Sequence, residues 1–314
     1  MPVSLLGTLL FFALGLVLIV KGGDLFVDAA VWIAEASGVP QFIIGATVVS
    51  LATTLPELMV SSLGVLRGEV DLAVGNAVGS VTANTGLIMG LSILCLPAVI
   101  RRREFAAKGA LLLAAALALA LLCRDGRLTA GSGLALLAIF AAFGWENLRA
   151  AGRSGAGRTA AGAKGQLGGQ LVKFLLGVSG IVWGADLLIE HGADLALALG
   201  VPAGIVGVTV VAVGTSLPEL VTTLTAIVKG ESSLSIGNIV GANIIDLTLI
   251  LPVCALLSGG ELAVSPRSAA LDLPVCFALT ALGVLPPLAS GRFRRWQGAA
   301  MLAGYGAYVW ALVR

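Results

Sequence analysis

PQFIIGATVVSLATTLPEL, residues 40–58, and PAGIVGVTVVAVGTSLPEL, residues 202–220, decide how this chain is built. They lie 162 residues apart, and at that offset a second pair aligns: GEVDLAVGNAVGS (68–80) on GESSLSIGNIVGA (230–242). Over 40–91 against 202–253, 20 of 52 positions are identical without a gap, and Gly22 and Asp24 fall on Gly184 and Asp186. The chain is therefore a duplication. What recurs includes Thr, Pro, Glu and Asn set inside apolar runs, so the repeat carries more than packing residues.

The apolar runs identify the medium. Of 314 residues, 58% are hydrophobic and 11% charged, whereas a soluble domain carries about 25% charged residues. A surface this poor in charge belongs in lipid. A spanning helix needs about 20 apolar residues. Ten segments meet that requirement: 3–27, 41–66, 70–98, 105–123, 128–149, 169–190, 203–228, 233–257, 268–289 and 294–313. The start runs into Lys21-Gly22-Gly23-Asp24 without a basic leader region, so it reads as the first span and not as a cleavable signal. Residues 150–168 are rich in Gly and Ala, carry Arg153, Arg158 and Lys164, and read as a linker. That leaves two halves, 1–149 and 169–314, of five spans each. Five is odd, so the second half enters the membrane from the opposite side. The expected fold is an all-α polytopic membrane protein of ten transmembrane helices arranged as two inverted five-helix repeats. Many secondary transporters use this plan, with sites at the midplane where broken helices of the two copies meet.

Loop charges orient the chain. Thirteen Lys/Arg fall on one side (Arg101, Arg102, Arg103, Lys108, Arg149, Arg153, Arg158, Lys164, Lys173, Lys229, Arg292, Arg294, Arg295) and five on the other. The positive-inside rule places the linker in the cytoplasm and both termini outside. With 19 basic and 17 acidic residues the net charge says little about partners. The four cysteines sit in apolar stretches without CxxC or metal spacing and read as unpaired thiols.

Glu57 and its mate Glu219 lie within spans, where an ionisable group costs at least ~2.5–3.5 kcal/mol and marks a functional candidate. Each follows a proline, which frees the carbonyl four residues back, at Ala52 and Gly214. Thr53, Thr54 and Glu57 in one copy, with Thr215, Ser216 and Glu219 in the other, thus offer hydroxyl, carbonyl and carboxylate oxygens together. Hard cations such as Ca2+ take such oxygens. The next span supplies Asn76, Gly79, Ser80 and Asn84, and in the second copy Asn238, Gly241, Ala242, Asn243 and Asp246. Ser80 and Asn84 share a helix face, as do Ala242 and Asp246. Gly75 and Gly79, and Gly237 and Gly241, have the spacing that lets helices approach closely. The expected centre holds Glu57, Glu219 and Asp246 with the amide of Asn84. Three carboxylates in low dielectric demand cations or protons.

Asp24 and Asp186 are read as charges near the ends of the first spans, and His191 as solvated at a helix end. No Ser or Cys has a base partner, which excludes intramembrane nucleophilic catalysis, so the chain is not read as an enzyme. Channels tend to assemble pores from oligomeric rings, whereas here one chain supplies both halves of its own centre.

The motifs T53-T54-L55-P56-E57 with G75-N76-x-x-G79-S80-x-x-x-N84, and G214-T215-S216-L217-P218-E219 with G237-N238-x-x-G241-A242-N243-x-x-D246, resemble those of the sodium/calcium exchanger family of cation/calcium antiporters, in its small prokaryotic form. The resemblance implies a secondary antiporter of the cytoplasmic (inner) membrane that exchanges Ca2+ for Na+ by alternating access. A proton-coupled or K+-dependent Ca2+ antiporter is the alternative. It implies ion ligation by Glu57, Glu219, Thr53, Thr54, Thr215, Ser216, Ser80, Asn84 and Asp246, gating by long, sliding first helices of each half, and no cofactor. Membrane lipid, Ca2+ and Na+ are the implied partners; no nucleic acid and no obligate protein partner are implied. Three positions depart from the family pattern: Ala52-Thr53-Thr54 stands for Gly-Thr-Ser, Val81 for Asn, and Ala242 for Ser, which deletes one hydroxyl.

Overall fold

The computed structural model describes residues 5–97, 102–153, 166–200 and 216–313. Among them ten helices follow one another: α1 Leu5–Ser37, α2 Gln41–Leu66, α3 Val70–Cys95, α4 Arg102–Leu122, α5 Ala130–Arg153, α6 Leu167–Ala198, α7 Leu217–Val228, α8 Ser232–Leu257, α9 Ser268–Ser290 and α10 Arg295–Val313. They match the ten segments read from hydropathy one for one. Eight are long and apolar enough to cross a membrane; α10 is not among them, and α7 is a shorter apolar helix whose upstream residues lie outside the described set. The chain is an all-helical, multi-pass membrane protein. Its one two-stranded ribbon among the described residues pairs β1 (Arg127–Thr129) with β2 (Glu261–Ala263), antiparallel. That ribbon joins the α4–α5 and α8–α9 connections, which inverted five-helix halves place on the same face.

The helix limits correct the sequence reading in two places. The first helix of each half is much longer than expected: 33 residues for α1 against 3–27, and 32 for α6 against 169–190. Polar side chains such as Asp24, Asp28 and Asp186 mark no end, because helical hydrogen bonding continues through them and no Pro or positive-φ Gly intervenes until Gly38 and Gly200. The segment 150–168 also begins and finishes as helix, with α5 running to Arg153 and α6 starting at Leu167; its middle lies outside the described residues.

Burial sorts the helices into two layers. α3 and α8 are the most enclosed, whereas α1, α5 and α6 bury only a minor part of their apolar stretch. α1 packs chiefly on α6, antiparallel, with glycines on both faces. A Cβ on Gly22 would stand 2.7 Å from Ile181 N, and one on Gly177 2.6 Å from Phe26 N. α8 packs against the start of α2 in the same manner: Gly237 meets the Phe42 carbonyl, and a Cβ on Gly241 would stand 2.5 Å from Ala46 O. The equivalent pair Gly75 and Gly79 has no described neighbour within 4 Å. Its symmetric partner would be the segment 204–208, which is outside the described residues.

Among the described residues four stretches relax from α to π winding: Gly45–Val49, Asn84–Met89, Asp246–Ile250 and Ser268–Asp272. Two of them begin at the mates Asn84 and Asp246. A π turn widens the helix and accompanies functional positions, and here it recurs in both copies at the residue expected to face the centre.

Candidate functional site

The centre is assembled from α2, α3, α7 and α8. Pro56 lies inside α2, where its ring removes one backbone donor. The hydroxyls around it do not fill that gap at Ala52 but bond elsewhere: Thr54 Oγ1 donates to Ser50 O at 2.7 Å, and Thr53 Oγ1 to Ser50 O and to Asn238 Oδ1, each at 3.3 Å. Having spent their protons, these hydroxyls keep lone pairs for other partners. Asn76 of α3 ties down the next turn, donating Nδ2 to Ser61 Oγ at 2.9 Å and to the Glu57 carbonyl at 3.3 Å. Glu57 is thus held by its backbone while its carboxylate stays uncommitted.

The second copy reaches a similar end differently. Ser216 occupies the N-cap position of α7 without a side-chain cap bond, and Pro218 sits in the first turn, where a missing N–H costs little. Glu219 follows in the same turn, close to the positive end of the helix. The expected freed carbonyl of Gly214, and the expected ligand Thr215, lie outside the described residues. Asn238, mate of Asn76, does not bond back to its own half. Its Nδ2 and the Thr223 hydroxyl, mate of Ser61, both lack a protein partner among the described residues.

Glu57, Glu219 and Asp246 are each 1% exposed. The Glu57 carboxylate faces those of Glu219 and Asp246, and Glu219 in turn neighbours Thr53 and Thr54. None of the six carboxylate oxygens accepts a hydrogen bond from the described residues, and Ser216 Oγ and Asn84 Oδ1 are equally without donors. Buried polar groups are nearly always paired, so these eight atoms, unpartnered among the described residues, are the candidate cation ligands. Ser80, Thr53, Thr54 and Asn84 are likewise buried. No three His, Cys, Asp or Glu side chains among the described residues converge tightly enough to make a metal site by themselves. The acids are spaced, and any ion between them must complete its shell with hydroxyl, amide and carbonyl oxygens. That oxygen-only donor set suits Ca2+ and Na+ and offers nothing to soft metals.

Other residues that stand out in the sequence find different places once folded. His191 is not solvated: it is buried within α6, stacked on Phe11 at 5.0 Å, with Asp194 at 3.7 Å. Asp24 pairs with Lys229 at 3.4 Å, and Asp28 takes the same ammonium at 2.7 Å. Partial burial pulls Lys229 down, but the Asp28 hydrogen bond and the charges of Asp28 and Asp24 outweigh it and hold the ammonium above its ordinary pKa. Asp186 lies exposed within α6. Lys108, counted above as a loop charge, is 1% exposed inside α4, with Nζ 5.7 Å over the Phe42 ring. Apolar neighbours in sequence hid the first fact, and a long flexible stem hid the second. All four cysteines are free thiols.

Comparisons with known proteins bear on the chain as a whole. The family model described as sodium/calcium exchanger protein matches residues 7–145 and 169–314, leaving out the linker. The chain is 35% identical over 259 residues to the inner membrane protein YrbG of Escherichia coli, covering 79% of each. It is 29% identical over 343 residues to the sodium/calcium exchanger MaX1 of Methanosarcina acetivorans, covering 96% of this chain and 97% of that one. Among solved structures, the sodium-calcium exchanger NCX_Mj superimposes with a TM-score of 0.86 at 29% identity, over 98% of this chain and 100% of that one.

Proposed function

The chain belongs to the sodium/calcium exchanger family, and from that premise we propose that it is a secondary antiporter exchanging Ca2+ for Na+ across the cytoplasmic membrane by alternating access. As a member of that family it is an ion transporter, with Na+ and Ca2+ as the transported ions. The observation that carries the reading is the set of six carboxylate oxygens on Glu57, Glu219 and Asp246, buried and without a donor among the described residues. Glu57 and Glu219, with Thr53, Thr54, Thr215, Ser216, Ser80 and Asn84, form the Ca2+ shell; Asp246 adds the charge that several Na+ ions need. The two cargoes compete for the same oxygens. An empty centre leaves mutually repelling acids in low dielectric, which discourages the return stroke without a cation.

Flux in proteoliposomes tests it. With Na+ loaded inside and Ca2+ outside, 45Ca2+ uptake should follow the outward Na+ gradient, each tenfold step contributing about 1.4 kcal/mol per ion moved. Uptake driven equally well by a pH gradient without Na+ establishes the proton-coupled alternative, and uptake that needs K+ on the Na+ side establishes the K+-dependent one.

The same reading sets the orientation. The linker is cytoplasmic and both termini are outside, a reading supported by the Lys/Arg asymmetry. Lys229, on the linker side by that count, reaches Asp24 and Asp28 in the C-terminal part of α1, which the same orientation brings to the cytoplasmic face. An Ala156→Cys variant should resist an impermeant maleimide applied to intact cells and react after permeabilisation; rapid labelling of intact cells reverses the topology.

A further inference from the structure

One short chain of side-chain hydrogen bonds braces the centre across the two halves. Asn84 Nδ2 donates to Asn243 Oδ1 at 3.1 Å, and Asn243 Nδ2 donates to Thr85 Oγ1 at 2.8 Å. All three side chains are buried. At its other end the Asn84 amide presents Oδ1, which has no donor among the described residues. An amide has an acceptor end and a donor end of almost the same shape. Rotated by half a turn, it would show a cation an N–H2 group where an oxygen now stands. Whatever holds the nitrogen therefore decides that the oxygen faces the ion.

The duplication sharpens the point. The mate of Asn243 is Val81, and the mate of Thr85 is Leu247. The reciprocal brace is missing, and Asp246, the mate of Asn84, keeps both oxygens without a donor among the described residues. A carboxylate needs no brace to present oxygen, because its two ends are chemically the same. The chain retains the brace only in the half whose side chain has a wrong end.

We propose that Asn243 is a positioning residue that holds the Asn84 amide with Oδ1 toward the transported cation. The inference rests on the reading of Asn84 as a cation ligand given above. The test is a double-mutant cycle on the full chain in proteoliposomes, reading the KM for 45Ca2+ and the maximal rate, with Ca2+ affinity of the purified protein by calorimetry. Asn243→Val substitutes the residue that the first repeat carries at this position. It should raise the Ca2+ KM about five- to tenfold, the scale of one net polar contact, with little change in maximal rate. In an Asn84→Asp background the same substitution should change KM by less than about twofold, the limit of ordinary additivity, because a carboxylate cannot be presented backwards. An equal loss in both backgrounds shows that Asn243 acts by packing alone and overturns the proposal, as does no loss in either.

Asn84→Val separates this failure from failure of the underlying reading. If it leaves KM unchanged, Asn84 is no ligand and both fall; if it raises KM while the cycle shows no coupling, only the role of Asn243 falls. Should the double variant not yield folded protein, Asn243→Asp decides. It keeps an acceptor for Asn84 Nδ2, so KM should not rise, and a rise as large as that of Asn243→Val overturns the proposal.

Discussion

Glu57→Gln and Glu219→Gln should each reduce Na+-driven 45Ca2+ uptake to the level of empty liposomes. Glutamine has nearly the shape of glutamate, so packing around these 1%-exposed side chains is preserved. What changes is one unit of charge and one oxygen in a place where water does not compensate. Breaking a buried charge pair costs about 3–5 kcal/mol, which corresponds to roughly a 10²–10⁴-fold loss of affinity. The same substitutions should make the ion-free protein melt higher, since each removes repulsion within a buried group of acids that face one another. Lost transport with gained stability is a pattern that misfolding cannot produce. Asp246→Asn, in contrast, leaves two carboxylates, enough to neutralise one Ca2+. It should keep measurable Ca2+ transport with altered Na+ or pH dependence. If Asp246→Asn is as inactive as the glutamate variants, Asp246 is a primary Ca2+ ligand and the assigned division of labour is wrong.

The second large effect is expected far from the ions, where α1 crosses α6. A Cβ on Gly177 would stand 2.6 Å from Phe26 N and 2.8 Å from its Cα; one on Gly184 would stand 2.8 Å from Gly15 O and Ile19 N. These are backbone atoms of helices and cannot swing aside, so Gly177→Ala or Gly184→Ala must push the pair apart. Overpacking of this kind costs about 1–3 kcal/mol. If α1 and α6 slide during exchange, the misfit differs between the two end states and biases them by roughly 5–150-fold. Both variants should lower the melting temperature by several degrees and cut the exchange rate steeply. Gly169→Ala lies on the same helix with nothing within 4 Å; it should be slightly stabilising and transport normally. Normal rates in Gly177→Ala would show that the crossing does not move and is only a packing contact.

The sequence carries the repeat, the span count and the set of oxygen-bearing residues, because each rests on local pattern or on internal comparison. Residue spacing cannot say which hydroxyl proton is already spent. Thr53 and Thr54 turn theirs toward Ser50 O and Asn238 Oδ1, and only the folded geometry shows it. Asn243 is visible as a motif residue, yet its work depends on Asn84 and Thr85, 159 and 158 positions away. The signal that points to it is the mismatch between copies, Asn opposite Val81 and Asp opposite Asn84. Helix ends are harder to read. α1 runs past Asp24 and Asp28, which Lys229 pairs from outside the segment, and hydropathy along one stretch does not register that.

The length of α1 and α6 has a further consequence, for the bilayer itself. Thirty-three residues at 1.5 Å each span about 50 Å, against roughly 30 Å of hydrocarbon. The pair lies at the lipid-facing edge, bound mainly to itself. A helix that overhangs the hydrocarbon tilts or deforms the lipid around it, at a fraction of a kcal/mol per Å of mismatch. If the pair slides along the membrane normal during exchange, that mismatch changes and acyl-chain length enters the energy difference between its positions. The thickness of the host membrane would then bias the exchange through helices that line the lipid, away from the buried acids.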